Sequence, residues 1–256
     1  MKNSDTSSIT NNRFVALFDI LGFKDRVMRE PHEKIYADLA EIQIKENTLN
    51  EILGDDPVVE RLLGVHIVKF SDSIILFSQN GEIESFIVFL ISARFLFSLF
   101  LEKKFLIKGG MAYGNVSLDK EKQLYFGQPI IDAYLLEEDV NYIGVVVHNS
   151  IEEFIKQNIT KDHSYYSILY QLIFEGKSPL KSGNITHFNL NWFPQLSEQS
   201  NEKDETTVRT EIIKKLKEYY LKVSGSPRRY IDNTITLINE STIDFKKLSL
   251  LTKQKR

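Results

Sequence analysis

Cysteine is absent from the 256-residue chain, which excludes disulfides, thiolate metal sites and cysteine nucleophiles together and fits a reducing compartment. Neither sign of charge dominates. Thirty-two Lys and Arg stand against 35 Asp and Glu, for a formal charge of -3, so no global field draws the protein to a polyanion and nucleic acid is not an expected partner. The stretch Met1 to Asn12 is polar and lacks a hydrophobic signal core. The longest apolar run, Phe86 to Leu101, is interrupted by Ser92, Arg94 and Ser98 and falls short of the roughly 20 residues that a membrane span needs. A cytoplasmic protein without a membrane segment is the expectation. Internal repeats and low-complexity tracts are also lacking.

What is present fits a globular domain with one main core and a smaller appended element: 42% of residues are hydrophobic and 26% charged. Arg13 to Phe18 is a near-continuous apolar run and predicts a central strand buried on both faces. Gly22 ends it. From about Pro31 to Leu53, Ile35, Leu39, Ile42, Leu49 and Leu53 recur at helical spacing. After a break at Gly54 to Pro57, the runs Val65 to Phe70 and Ile74 to Phe77, separated only by Ser71, Asp72 and Ser73, predict a hairpin. A long apolar helix over about 84–103 leads into a strand over 105–113, with a turn at Gly114 and Asn115.

The order strand, helix, strand, strand, helix, strand is that of an α+β, ferredoxin-like palm (βαββαβ). Beyond Gly127 the pattern predicts a short helix (130–138), a strand (143–147), a helical stretch (150–174) and a last strand (185–190). The main domain is expected over 13–192. A C-terminal helical extension over 193–256 begins with a polar linker at 197–207 and carries helices over 208–223 and 227–239.

In that topology Asp19, at the end of the first strand, and Asp72, in the hairpin, come together at one edge of the sheet. Each has a bland explanation, as a helix cap or a turn cap. Asp19 directly follows five apolar residues and Asp72 sits between Phe70 and the run Ile74 to Phe77, where an ionised carboxylate is costly without a compensating cation. Two such groups side by side repel, and a divalent metal is the common remedy. Hard oxygen donors suit Mg²⁺ or Mn²⁺ held with substrate phosphates, which points to a nucleoside triphosphate and a two-metal in-line displacement. The turn Ile20-Leu21-Gly22-Phe23-Lys24 supplies backbone N–H groups at a helix entrance, as phosphate-binding turns do and as ordinary strand-to-helix connections also do.

Four segments resemble a known family. FVALFDILGFK (Phe14 to Lys24) looks like the first metal-binding strand of the class III adenylate and guanylate cyclases, and KFSDSIILF (Lys69 to Phe77) is similar to their second metal motif. IKGGMAYGNV (Ile107 to Val116) resembles the strand and turn that follow, and FGQPIIDAYLLEE (Phe126 to Glu138) the helix that carries transition-state residues. They come in family order over about residues 13–147. The resemblance implies Asp19 and Asp72 as catalytic metal ligands with the Ile20 carbonyl as a further ligand, two divalent ions (Mn²⁺ or Mg²⁺), phosphate binding by the backbone from Leu21 through Gly22 to Phe23, and a homodimer with its sites at the subunit interface.

The departures from the family pattern are specific. The place four residues before the second metal Asp, where purine cyclases carry a base-reading Lys or Glu, holds Val68, with Lys69 one residue later as a candidate substrate contact. The family's transition-state Asn and Arg would fall at Asp132 and Leu136, leaving Arg94 and Lys108 as substitute cations. A compact cyclase with altered base-reading positions resembles the pyrimidine cyclases of bacterial Pycsar antiphage systems, which make cyclic UMP or cyclic CMP and activate an effector protein. Tyr36 is a candidate contact to the base. The alternatives are an adenylate or guanylate cyclase, and a degenerate palm that binds nucleotide without turning it over.

Overall fold

The structure, a computed structural model, describes residues 9–53, 65–196, 205–223, 225–241 and 243. An eight-stranded sheet runs in the order β2-β3-β1-β4-β6-β8-β7, with β5 paired to β4. Its first half is β1 (Thr10–Ile20), β2 (His66–Phe70), β3 (Ser73–Phe77) and β4 (Ile107–Asp119). The antiparallel order β2-β3-β1-β4 is the ferredoxin-like arrangement that the sequence predicts. The α+β palm therefore holds.

The apolar run of β1 explains its central place. Phe14, Ala16, Phe18 and Ile20 face one side, where they meet Phe86, Phe89 and Leu90 of α3 (Ile83–Glu102). Val15 and Leu17 face the other side, against Val116, Leu118, Ala112 and Ala133. Helix α2 (His32–Leu53) joins the first side through Ile42, and the short α1 (Phe23–Arg29) precedes it. On the second side lies α4 (Gln128–Asp139). Helix α3 reaches 20 residues and is apolar enough to cross a membrane, contrary to the expectation from its interruptions. Its buried Phe and Leu residues make it the core helix, and Arg94 within it donates to the Gln171 carbonyl.

Several boundaries differ from expectation. The strand predicted to turn at Gly114 and Asn115 continues to Asp119 as β4, because β1 pairs with it from Thr10↔Ser117 to Ile20↔Ile107. The following residues return as β5 (Leu124–Phe126). The long helical stretch predicted over 150–174 is two helices, α5 (Asn149–Asn158) and α6 (Tyr166–Leu172), and β7 (Ile173–Leu180) begins where the second ends. Strand β7 is an edge strand paired along its whole length with β8 (Gly183–Leu190). An edge tolerates its Pro179, and sheet pairing outweighs local helical spacing. Strand β6 (Gly144–Val147), parallel to β4, joins the two halves.

The C-terminal elements are α7 (Glu205–Glu218), a 3-10 turn (Tyr219–Lys222) and α8 (Ser226–Glu240). Ile212, Leu216, Ile231, Leu237 and Ile238 bury into the same core that β1 and α3 build. Thr234 Oγ1 accepts from the Ile143 amide at 2.8 Å, and Asn233 donates to the Asn141 carbonyl at 2.7 Å. The break at Gly54 to Pro57 and most of the expected linker lie outside the described residues, as do the side chains of Leu49 and Leu53.

Candidate active site

The sheet register brings Asp19 and Asp72 together. Asp19 stands opposite Ser73 on β3 and opposite Lys108 on β4. Ile20 N–H donates to the Asp72 carbonyl at 3.0 Å, which ties the β2–β3 turn to the end of β1. By strand alternation Asp19 shares the α4 side with Val15 and Leu17. Burial pushes the Asp19 carboxyl up to about 6, with Glu137 and Asp72 adding repulsion and Lys108 opposing them. An ionised Asp19 is thus under-compensated by the protein alone.

That turn carries strain. Ser71 adopts φ 57°, the left-handed region that disfavours a side chain with a Cβ. Ser71→Gly is expected to raise stability by about 0.5–1 kcal/mol, read as a higher urea midpoint with an unchanged slope; a lower midpoint would show that the Ser71 side chain holds the turn.

Glycine and alanine let α4 lie directly on the sheet. A Cβ on Gly110 would sit 2.4 Å from the Ala133 carbonyl oxygen and 3.0 Å from the Glu137 amide. At this contact Lys108 Nζ meets Glu137 Oε1 at 2.8 Å and the Glu137 carbonyl at 2.9 Å, with side chains 8% and 6% exposed. Glu137 is the site residue that the sequence reading missed. Lys108 in the apolar, glycine-rich run FLIKGGMA was the available signal, since a lysine buried there requires an anionic partner.

The other predicted residues spread out. Leu21 N–H donates to the Leu106 carbonyl at 2.8 Å, so this amide is already engaged within the fold. Gly22 takes φ 71° at the entrance to α1, where an added Cβ would meet open space. Helix α1 is only seven residues long, which gives it a weak dipole. Phe23 packs toward Phe105. Lys69 donates to Gln43 of α2 at 2.9 Å, and alternation along β2 turns it away from the α4 side. Tyr36 is 70% exposed on α2, the helix on the opposite side of the sheet from α4. Neither therefore faces the α4 side that Asp19 faces. Arg94 is buried against α6 and supplies no cation there.

Asp132 on α4 accepts from Gln128 at 2.7 Å. Leu136 points its Cβ at Gly110 and packs on the core. Val68 lies opposite Ile75 and joins a small apolar cluster with it.

Among solved structures the chain is similar to nucleotide cyclase domains. One is the guanylate cyclase domain of RhGC from Catenaria anguillulae in complex with GTP, at 14% identity and a TM-score of 0.47, covering 71% of this chain and 96% of that one. Another is the adenylyl cyclase CyaB from P. aeruginosa, at 13% identity and a TM-score of 0.47, covering 76% and 98%. No family model and no curated protein matches the chain. At such identities the chemistry of the site must be argued from this chain's own residues.

The chemistry of the donor set suits a hard divalent ion. Asp19 contributes a carboxylate that burial, with repulsion from Glu137 and Asp72, leaves under-neutralised. Among the described residues no three His, Asp or Glu side chains converge into a cage. Ions of the Mg²⁺ type take one or two carboxylates and complete their shell with water and phosphate oxygens.

Proposed function

We propose that the chain is a metal-dependent nucleotide cyclase that converts a nucleoside triphosphate to a 3′,5′-cyclic mononucleotide and pyrophosphate. The observation that carries this reading is the pinning of Asp72 to the end of β1, beside an Asp19 carboxyl raised to about 6. Asp19 and Asp72, with the Ile20 carbonyl, would hold two Mn²⁺ or Mg²⁺ ions. Bound there, such ions activate the attacking hydroxyl and neutralise the triphosphate. The backbone at Gly22 and Phe23 would orient phosphate oxygens.

The finer reading is a pyrimidine substrate, UTP before CTP. Its support is the apolar Val68–Ile75 pair where a purine-reading cyclase would need a polar group. The cyclic product would then act as an antiphage signal through a cyclic-nucleotide-activated effector, and a triphosphate substrate suits a cytoplasmic protein. The reading extends to a homodimer. Leu124 and Phe126 on β5 and Ile131, Tyr134 and Leu135 on α4 are large, exposed and apolar, as an interface core is.

Purified protein incubated with Mn²⁺ and each of ATP, GTP, UTP and CTP is expected to release pyrophosphate and a cyclic mononucleotide from UTP, and less from CTP, with little from the purines. Turnover of ATP or GTP alone would replace the pyrimidine reading with a purine one. A second reading is a palm that binds nucleotide without reacting it, favoured by Leu136 packing on Gly110 where the family carries an arginine. Nucleotide binding with no product from any of the four would establish it.

A further inference from the structure

Lys108 and Asp19 are direct cross-strand partners on β4 and β1. Opposite charges so placed ordinarily pair with each other, at side-chain separations of about 5 Å. Here the lysine bonds Glu137 instead, although its charge still acts on Asp19. Its ammonium is held on the α4 side by both the carboxylate and the main-chain oxygen of Glu137, at 2.8 and 2.9 Å. Reaching it requires α4 to touch the sheet, which Gly110 permits: any side chain there would strike the Ala133 carbonyl.

Resting on the metal-site reading above, we propose that Glu137 is a positioning residue that sequesters the Lys108 ammonium, so that Asp19 is left open to divalent cations instead of being closed by its own neighbour. An ammonium on Asp19 would occupy the lone pairs a metal needs and place a fixed positive charge where the ion must sit. The pair stabilises the fold little in itself, since buried ion pairs gain about as much in Coulomb energy as they lose in desolvation. Its consequence is the direction in which the lysine points.

The experiment is direct Mn²⁺ binding to the full chain without nucleotide, read from the electron paramagnetic resonance signal of free Mn²⁺, with thermal melts to establish folding. Wild type is expected to bind, and Asp19→Asn to bind at least about tenfold more weakly. Glu137→Gln keeps the shape of the side chain and releases the lysine. It is expected to weaken binding by about tenfold or more, the range seen when groups around a metal ligand are altered, and Glu137→Asp is expected to restore part of that loss. The double variant Lys108→Met with Glu137→Met has neither the competing ammonium nor an orphaned charge, and should bind within about twofold of wild type.

Wild-type affinity in Glu137→Gln, or equal weakening in Glu137→Gln and the double variant, would overturn the sequestering role while leaving the metal site standing. Unchanged binding in Asp19→Asn would overturn the metal site and this inference together.

Discussion

Asp72→Ala is expected to lower product formation from every nucleoside triphosphate by about a hundred- to a thousandfold, the scale of removing an electrostatic stabiliser of a transition state, while the fold persists. The fold persists because the structural role of residue 72 is carried by its main chain: the Asp72 carbonyl, not its carboxylate, accepts from Ile20. Asp19→Asn should lose turnover equally and also melt higher. The sign follows from the Asp19 carboxyl, which stands at about 6 in the fold against an ordinary 3.8. Between those two values the folded protein holds a proton that the unfolded chain releases, so this group's contribution to stability falls as pH rises through the window and stays reduced above it. The neutral amide removes that penalty at pH 7. The side chain is partly open to solvent, so the gain is screened, and a rise of about 2–4 °C is the expected size for a chain of this length. Acidification below about 6 should in turn weaken Mn²⁺ binding in wild type, because the proton and the ion compete for one carboxylate. An Asp72→Ala protein with wild-type turnover would remove the metal assignment, and an Asp19→Asn protein that melts lower would show that the carboxylate is already neutralised within the fold.

Gly110→Ala should be a strongly damaging one-carbon change at the contact between α4 and the sheet. The added methyl would stand 2.4 Å from a helix carbonyl and 3.0 Å from a helix amide, both of them backbone atoms with no rotamer to yield. Helix α4 must lift, and lifting it separates Glu137 from Lys108 and carries Asp132 away from the sheet. Overpacking of this kind costs about 1–3 kcal/mol, and the catalytic loss should exceed what the fall in stability explains. A melting temperature within 1 °C of wild type, on the scale where about 1 kcal/mol moves it 2–4 °C, would show that α4 accommodates the methyl. Gly183→Ala, at a position open to solvent with φ 128°, serves as the comparison for backbone strain without a clash.

Much of the palm was legible in the sequence because its signals are local. The unbroken run Phe14 to Phe18 announces a strand covered on both faces, and the three polar residues between Phe70 and Ile74 leave room for a tight turn and nothing more. Together these bring Asp19 and Asp72 to one edge. What stayed hidden depends on pairing over long distances. Strand β7 contains Gly176 and Pro179 and reads as no strand until β8 lies beside it. Lys69, next to the position where purine cyclases read the base, and Tyr36, on the first helix, are candidate substrate contacts in the sequence, but strand alternation and the side of the sheet taken by α2 decide where they sit. Glu137 lay in the acidic run Glu137-Glu138-Asp139, indistinguishable from a solvated helix end until the close approach at Gly110 buries it.

The bond from the Ile143 amide to Thr234 has a consequence for how this protein could be subdivided. Strand β6 is bounded on one side by the palm's own β4 and immediately preceded by a donor that α8 satisfies. A chain cut back to residue 196 would expose Ile143 N–H together with the apolar faces that Ile212, Ile231 and Ile238 now cover. The carboxy-terminal helices thus act as a wall of the building rather than an annex, and a palm cut out to stand alone has to carry them along.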